Sequence, residues 1–206
     1  MIGIVDYGMG NRRSVEKAFQ HVGADVALTA DEATLGRADG LVVPGVGAFP
    51  EAMRRLRASG LDVLVRERAA AGVPVIGLCL GMQLLFERST EWEGAEGLGL
   101  LPGGVVRLEA PGLKLPHIGW NVVTWARPSR LTVGLGDRAA FYHVHSFVPE
   151  PAEDDVTLGV GEYGVPFTSF VERDNVFGAQ CHPEKSSTDG LALLRNFANV
   201  CDRVSA

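Results

Sequence analysis

Between Met1 and Glu87, apolar runs alternate with stretches of helical spacing, and this alternation constrains the fold more than any other feature. Ile2 to Val5 is a short β-branched run. Asn11 to Val22 follows, with Val15, Ala18, Phe19 and Val22 spaced along one helix face and Gly23 as a stop. Asp25 to Leu28 reads as a second strand, and Leu41 to Val43 as a third, closed by PGVGAFP. Helical patterns cover Pro50 to Arg57 and Asp62 to Ala71, the latter ended by Gly72. Val73 to Leu78 is a fourth strand and Leu80 to Glu87 a helix. Strands that alternate with helices pair in parallel, with helices covering both faces of the sheet.

After Gly97 the texture changes. Strand-like runs come in succession at Gly104 to Leu108, Asn121 to Trp125, Ala139 to Val148, Val156 to Glu162, Thr168 to Val171 and Val176 to Gln180. Turn signals such as PGG, GLG and RDN separate them. They predict an antiparallel extension or strands added to the edge of the parallel sheet. A final helix, Thr188 to Cys201, carries Leu193, Phe197 and Val200 on one stripe. The expected class is therefore α/β: a mostly parallel sheet flanked by helices with an antiparallel strand extension, forming a single domain over residues 1–206.

Composition narrows the function classes. Acidic residues outnumber basic ones 25 to 19, and the net charge of −6 argues against broad nucleic-acid binding, which needs a basic face. The arginines at 54, 55, 57, 66 and 68 fit the solvated sides of two amphipathic helices. No apolar run reaches the roughly 18–20 residues of a membrane span. Met1 leads into IGIVDYG, a strand pattern without a basic n-region, so a cytoplasmic location is expected. The three cysteines, Cys79, Cys181 and Cys201, lack CxxC spacing, which speaks against a disulfide framework or a zinc knuckle. The five histidines form no HExxH pattern, so no metal is expected.

Chemistry concentrates in Gly77-Leu-Cys79-Leu-Gly81. Ligands of an open parallel sheet gather at the carboxyl ends of its strands, and Cys79 sits at such an end. A sharp strand-to-helix turn crowds its neighbours, and a glycine on either side removes the clash. This is the nucleophile-elbow logic with sulfur in place of oxygen. It also sets the thiol at a helix N-terminus, which favours thiolate, and sets the Leu80 amide where it can stabilise an oxyanion. Alone, the motif fits a buried structural cysteine equally well.

A thiolate gains from a base, and the base from an orienter. Near the far end, VFGAQCHPEKSS supplies His182 and Glu184, which share a face if the backbone is extended. Glu184 can then fix the His182 tautomer and stabilise imidazolium. A surface His-Pro turn is the plain alternative. Cys181 points the other way and belongs to the core. Gly45-Val46-Gly47, after the third strand, lies at the same sheet end as Cys79 and lets backbone amides approach a ligand, or is a tight turn only.

The order PGVG, GLCLGMQ, HPEKS resembles the class I (triad) glutamine amidotransferases over essentially the whole chain. The resemblance implies a glutaminase in which Cys79 attacks the side-chain amide of glutamine, His182 serves as acid and then base, and Glu184 holds His182. The Leu80 amide and the Gly45, Val46 and Gly47 backbone would form the oxyanion hole. Gln83 matches a substrate-contacting position, Glu91 the acid that binds the α-ammonium, and His145-Ser146-Phe147 the stretch whose backbone holds the α-carboxylate. No cofactor is implied. IGIVDYGMGN, PGVGAFPEAM, LPHIGWN and HPEKSS narrow the resemblance to the glutaminase subunits of imidazole glycerol phosphate synthases, enzymes of histidine biosynthesis. In that family ammonia passes to a separate (β/α)8-barrel cyclase subunit, with Asn11, Trp120 and Lys185 at or near the interface. The family further implies a lone chain that is nearly inactive until its partner and nucleotide bind. Two residues depart from its pattern: Cys181 stands where an aromatic is expected, and Phe147 where tyrosine is usual. The glutaminase of another synthase (anthranilate or pyridoxal phosphate synthesis), a non-catalytic regulatory subunit and a thiol hydrolase are the competing readings.

Overall fold

The computed structural model describes residues 1–202. Its first half runs β1 (Ile2–Val5), α1 (Arg12–His21), β2 (Val26–Thr29), α2 (Glu32–Gly36), β3 (Gly40–Gly45), α3 (Phe49–Ala58), α4 (Leu61–Ala70), β4 (Val75–Cys79) and α5 (Leu80–Leu84). The second half runs β5 (Phe86–Ser89), β6 (Ala95–Glu96), β7 (Leu101–Arg107), β8 (His117–Trp125), β9 (Arg138–His145), β10 (Phe147–Pro151), β11 (Thr157–Tyr163), β12 (Val165–Arg173), β13 (Val176–Ala179) and α6 (Ser187–Asp202).

Nine strands form one sheet in the order β2-β1-β3-β4-β13-β12-β11-β8-β9. From β2 to β13 the pairings are parallel, and from β13 onward antiparallel. The remaining four strands form a second sheet, β10-β7-β5-β6. The predicted α/β class with an antiparallel extension is what the chain adopts.

Strand alternation explains how both faces of the large sheet are buried. Leu41, Val43 and Val75 point into a core with α3, α4 and α5, supplied by Phe49, Met53, Leu56 and Leu61. Val42, Ile76 and Leu78 point the other way, against Phe19 of α1 and Leu193, Leu194 and Phe197 of α6. With helices on both faces of the parallel half, the strands there open to solvent at their ends, and the site lies at one of them.

Three sequence expectations change. The helix after Cys79 ends at Leu84 and not at Glu87, because Phe86 opens β5 and pairs with Leu101 of the second sheet. The single run Ala139 to Val148 is two strands: β9 pairs with β8, while β10 leaves the large sheet to pair with β7. The first half also contains α2, which the apolar spacing does not predict; Asp31 caps it by accepting from the Thr34 amide at 2.8 Å.

Candidate active site

Three neighbouring parallel strands deliver the candidate machinery. β3 ends in Gly45, β4 ends in Cys79 with Gly45 as its register partner, and β13 runs out through Gln180 and Cys181 into His182. Cys79 itself sits at φ 55 and ψ −113, a backbone region that side chains avoid. The two glycines answer to contact. A Cβ on Gly77 would stand 2.4 Å from the Gly81 carbonyl oxygen, and one on Gly81 would stand 1.8 Å from the Val43 carbonyl oxygen. The elbow is therefore pressed directly onto β3, and any larger residue at either position would force it away.

His182 is fixed through its own backbone. Its amide donates to the Tyr142 carbonyl of β9 at 2.8 Å, and its carbonyl accepts from the Ser186 hydroxyl at 2.7 Å. The extended backbone expected for His182 to Glu184 is not what forms. Pro183–Lys185 is a 3-10 turn, and the turn swings the Glu184 carboxylate back toward the ring. His182 Nδ1 donates to Glu184 Oε1 at 2.9 Å, and both side chains are buried. Burial disfavours imidazolium, but hydrogen bonding and charge from Cys79 and Glu184 outweigh it and raise the His182 pKa to about 10.

A cleft of about 310 Å3 opens over Cys79. Its walls include every residue marked for oxyanion or substrate contact except Gly45: Val46, Gly47, Leu80, Gln83, Glu91, His145, Ser146 and Phe147. Gly45 lies beneath, against Leu80 and Gly81. Lys185 stands at the rim, and Trp120 lies outside, exposed on β8. Asn11 turns inward: its Nδ2 donates to Glu184 Oε1 at 3.2 Å. Glu91 Oε2 accepts from the Phe49 amide at 2.7 Å, tying it to the start of α3 just beyond the Val46-Gly47 loop.

Two residues escape sequence reasoning. Tyr7 donates its hydroxyl to the Pro44 carbonyl at 2.6 Å and so anchors the end of β3; burial pushes its pKa upward. Gln180 is fully buried, accepts from Gln83 Nε2 at 3.0 Å and donates toward Cys79 Sγ at 3.8 Å. DYG gives no sign of the first. Gln180 is visible only as the polar end of an apolar strand. Cys181 is buried in the core as expected, and burial raises its thiol pKa. Among the described residues no helix is long and apolar enough to cross a membrane, and no three His, Cys, Asp or Glu side chains assemble to hold a metal ion.

The family model "Glutamine amidotransferase class-I" matches residues 3–201. The chain belongs to this family. Among curated relatives, "Imidazole glycerol phosphate synthase subunit HisH" of Desulfitobacterium hafniense is 50% identical over 96% of this chain and 93% of its own length. The HisH subunit of Moorella thermoacetica is 48% identical, over 97% and 94%. Of solved structures, PurLQS from Thermotoga maritima superposes with a TM-score of 0.76 at 18% identity, covering 97% of each chain, which speaks for the amidotransferase fold alone.

Proposed function

We propose that this chain, acting as one domain, is the glutaminase subunit of an imidazole glycerol phosphate synthase in histidine biosynthesis. The observation that carries the reading is Cys79 and His182 lining one cleft, with Glu184 bonded to His182 at 2.9 Å behind it, in a chain 50% identical over nearly full length to a HisH subunit.

In this mechanism the Cys79 sulfur attacks the side-chain carbonyl carbon of glutamine. The oxyanion is met by the Leu80 amide and by amides of the Gly45-Val46-Gly47 loop. His182, held protonated through neutral pH, delivers its proton to the departing nitrogen, and ammonia leaves a glutamyl thioester. Neutral His182 then takes a proton from water, hydroxide attacks the thioester carbonyl, the C–S bond breaks, and glutamate leaves the Cys79 thiolate beside protonated His182 as at the start. Gln83, Glu91 and the His145-Ser146-Phe147 backbone hold the amino-acid end of the substrate. Nucleophile, acid and base all come from the chain, and no cofactor enters.

Ammonia in water is mostly ammonium, which is no nucleophile, so its consumer must sit close by. We assign that role to a separate (β/α)8-barrel cyclase, docking near Lys185, Asn11 and the exposed Trp120 of β8. A cytoplasmic location goes with this reading.

The test is glutamate release from glutamine by this chain, alone and with a barrel cyclase plus its nucleotide ligand, with Cys79→Ser as control. Strong stimulation that vanishes in the variant is expected. A folded chain that no cyclase stimulates would send the search to another synthase.

A further inference from the structure

Beside the cleft, three buried imidazoles pack against one another, His117 stacked on His143 and edge-on to His145. His117 of β8 lies 5.5 Å from His143 and 5.1 Å from His145 between ring centroids, with Tyr163 and Phe167 packed around them. The mechanism above uses no imidazole of this group. His143 is closed on itself: its Nδ1–H donates to the Phe141 carbonyl at 3.1 Å, which leaves Nε2 to accept from the Ser169 hydroxyl at 2.8 Å. The other two form a directed chain.

The direction follows from the acceptors. His145 Nδ1 faces the Phe147 carbonyl oxygen at 3.1 Å, and a carbonyl only accepts, so Nδ1 carries the proton. In a neutral ring Nε2 is then an acceptor, and its partner at 3.1 Å, His117 Nδ1, must be the donor. His117 Nε2 in turn accepts from Asn121 Nδ2 at 3.5 Å. Both rings are neutral because burial lowers their pKa values, that of His145 to about 3. The Phe147 carbonyl at the end of the chain also accepts from Gln83 Nε2 at 3.0 Å. It thus accepts from two side-chain donors, both of which line the cleft. The β8–β9 register sets His117 directly opposite His145.

We propose that His117 is a positioning residue for glutamine: its Nδ1–H fixes the tautomer of His145, which holds the Phe147 carbonyl and with it the Ser146-Phe147 turn that receives the substrate α-carboxylate. The proposal rests on the glutaminase reading. Without the His117 donor, His145 can flip its proton to Nε2 and release the carbonyl, which then keeps only one of its two side-chain donors.

Three variants separate this role from bulk packing, all assayed in the complex with the cyclase. His117→Asn sets an amide donor where Nδ1 stood; His117→Gln sets it where Nε2 stood; His117→Leu removes it. Glutamine KM rises about tenfold in the Gln and Leu variants, the scale of one buried acceptor left unpaired, with kcat within a few-fold of wild type and the Asn variant closer to wild type. If the His117→Leu variant does not fold, the Asn and Gln pair carries the comparison. Labelling of Cys79 by iodoacetamide, which has no α-carboxylate, stays at the wild-type rate, while labelling by 6-diazo-5-oxo-L-norleucine, which has one, slows with the KM change. Unchanged KM in the Gln variant, or equal slowing with both reagents, overturns the role of His117. A wild-type chain that iodoacetamide labels and the glutamine analogue does not would sink the glutaminase reading itself.

Discussion

Glu184 Oε1 serves two donors at once, His182 Nδ1 at 2.9 Å and Asn11 Nδ2 at 3.2 Å. Asn11 therefore holds the carboxylate that holds the His182 ring, although Asn11 and Glu184 lie 173 positions apart. Replacing Glu184 with Gln keeps the shape and removes the charge. The His182 pKa is then expected to fall from about 10 toward its ordinary value, and kcat for glutamate release to fall by a factor on the order of 10²–10⁴. An imidazole titration followed by NMR, beside steady-state kinetics, checks both. An unmoved His182 titration would remove Glu184 from the role.

The strained backbone at Cys79 makes an unusual stability prediction. Alanine is ordinarily preferred to glycine, but here φ is 55 and alanine keeps the strain. Cys79→Gly is expected to exceed Cys79→Ala in stability by about 1–2 kcal/mol. Urea denaturation of the two inactive variants gives the comparison, and a more stable alanine variant would mean that the elbow is relaxed.

Buried histidines should also shape the pH profile of stability. His143 and His145 have pKa values lowered to about 3, so the unfolded chain binds protons that the folded chain refuses, and stability is lost as pH falls from about 6.5 toward 3. For His182, raised to about 10, the folded chain binds the extra proton, and its stabilisation is lost as pH rises from about 6.5 toward 10. Unfolding free energies measured across pH 4–10 are expected to peak near pH 6–7. A plateau through pH 9 would contradict the His182 shift.

Trp120, 56% exposed between Ile118 at 59% and Val122 at 52%, is the centre of an apolar stripe along β8. Trp120→Ala is expected to weaken cyclase binding by at least about tenfold while changing the stability of the free chain by less than about 0.5 kcal/mol. Calorimetric titration with the cyclase, using Val63→Ala on α4 as a control, reads the difference. Equal losses from both substitutions would move the interface elsewhere.

What the sequence disclosed, and what it hid, follows from the range of the forces involved. The parallel half was legible because strand and helix periodicities are local and each element buries a face. GLCLG was legible for the same reason: a tight turn leaves its glycines in place. The split at Ser146 was hidden, since a period of two looks alike whichever sheet a strand joins. The sequence YHVHSF set His143 and His145 on one face, but His117 joins them only through the β8–β9 register. Asn11 on Glu184 and Tyr7 on Pro44 were hidden likewise, as polar contacts between distant segments leave no local pattern.

β8 alternates strictly: Ile118, Trp120 and Val122 face outward, while His117 and Val123 are buried and Asn121 bonds to the Glu162 carbonyl. A strand with two such different faces cannot tolerate an insertion or deletion. One residue gained or lost between 117 and 120 would set the tryptophan and the histidine on the same face, so that either the apolar stripe or the imidazole chain would be lost. Changes in chain length on this side of the molecule are therefore better borne by the turn after β8 than by the segment before it, where Pro116 lines the cleft.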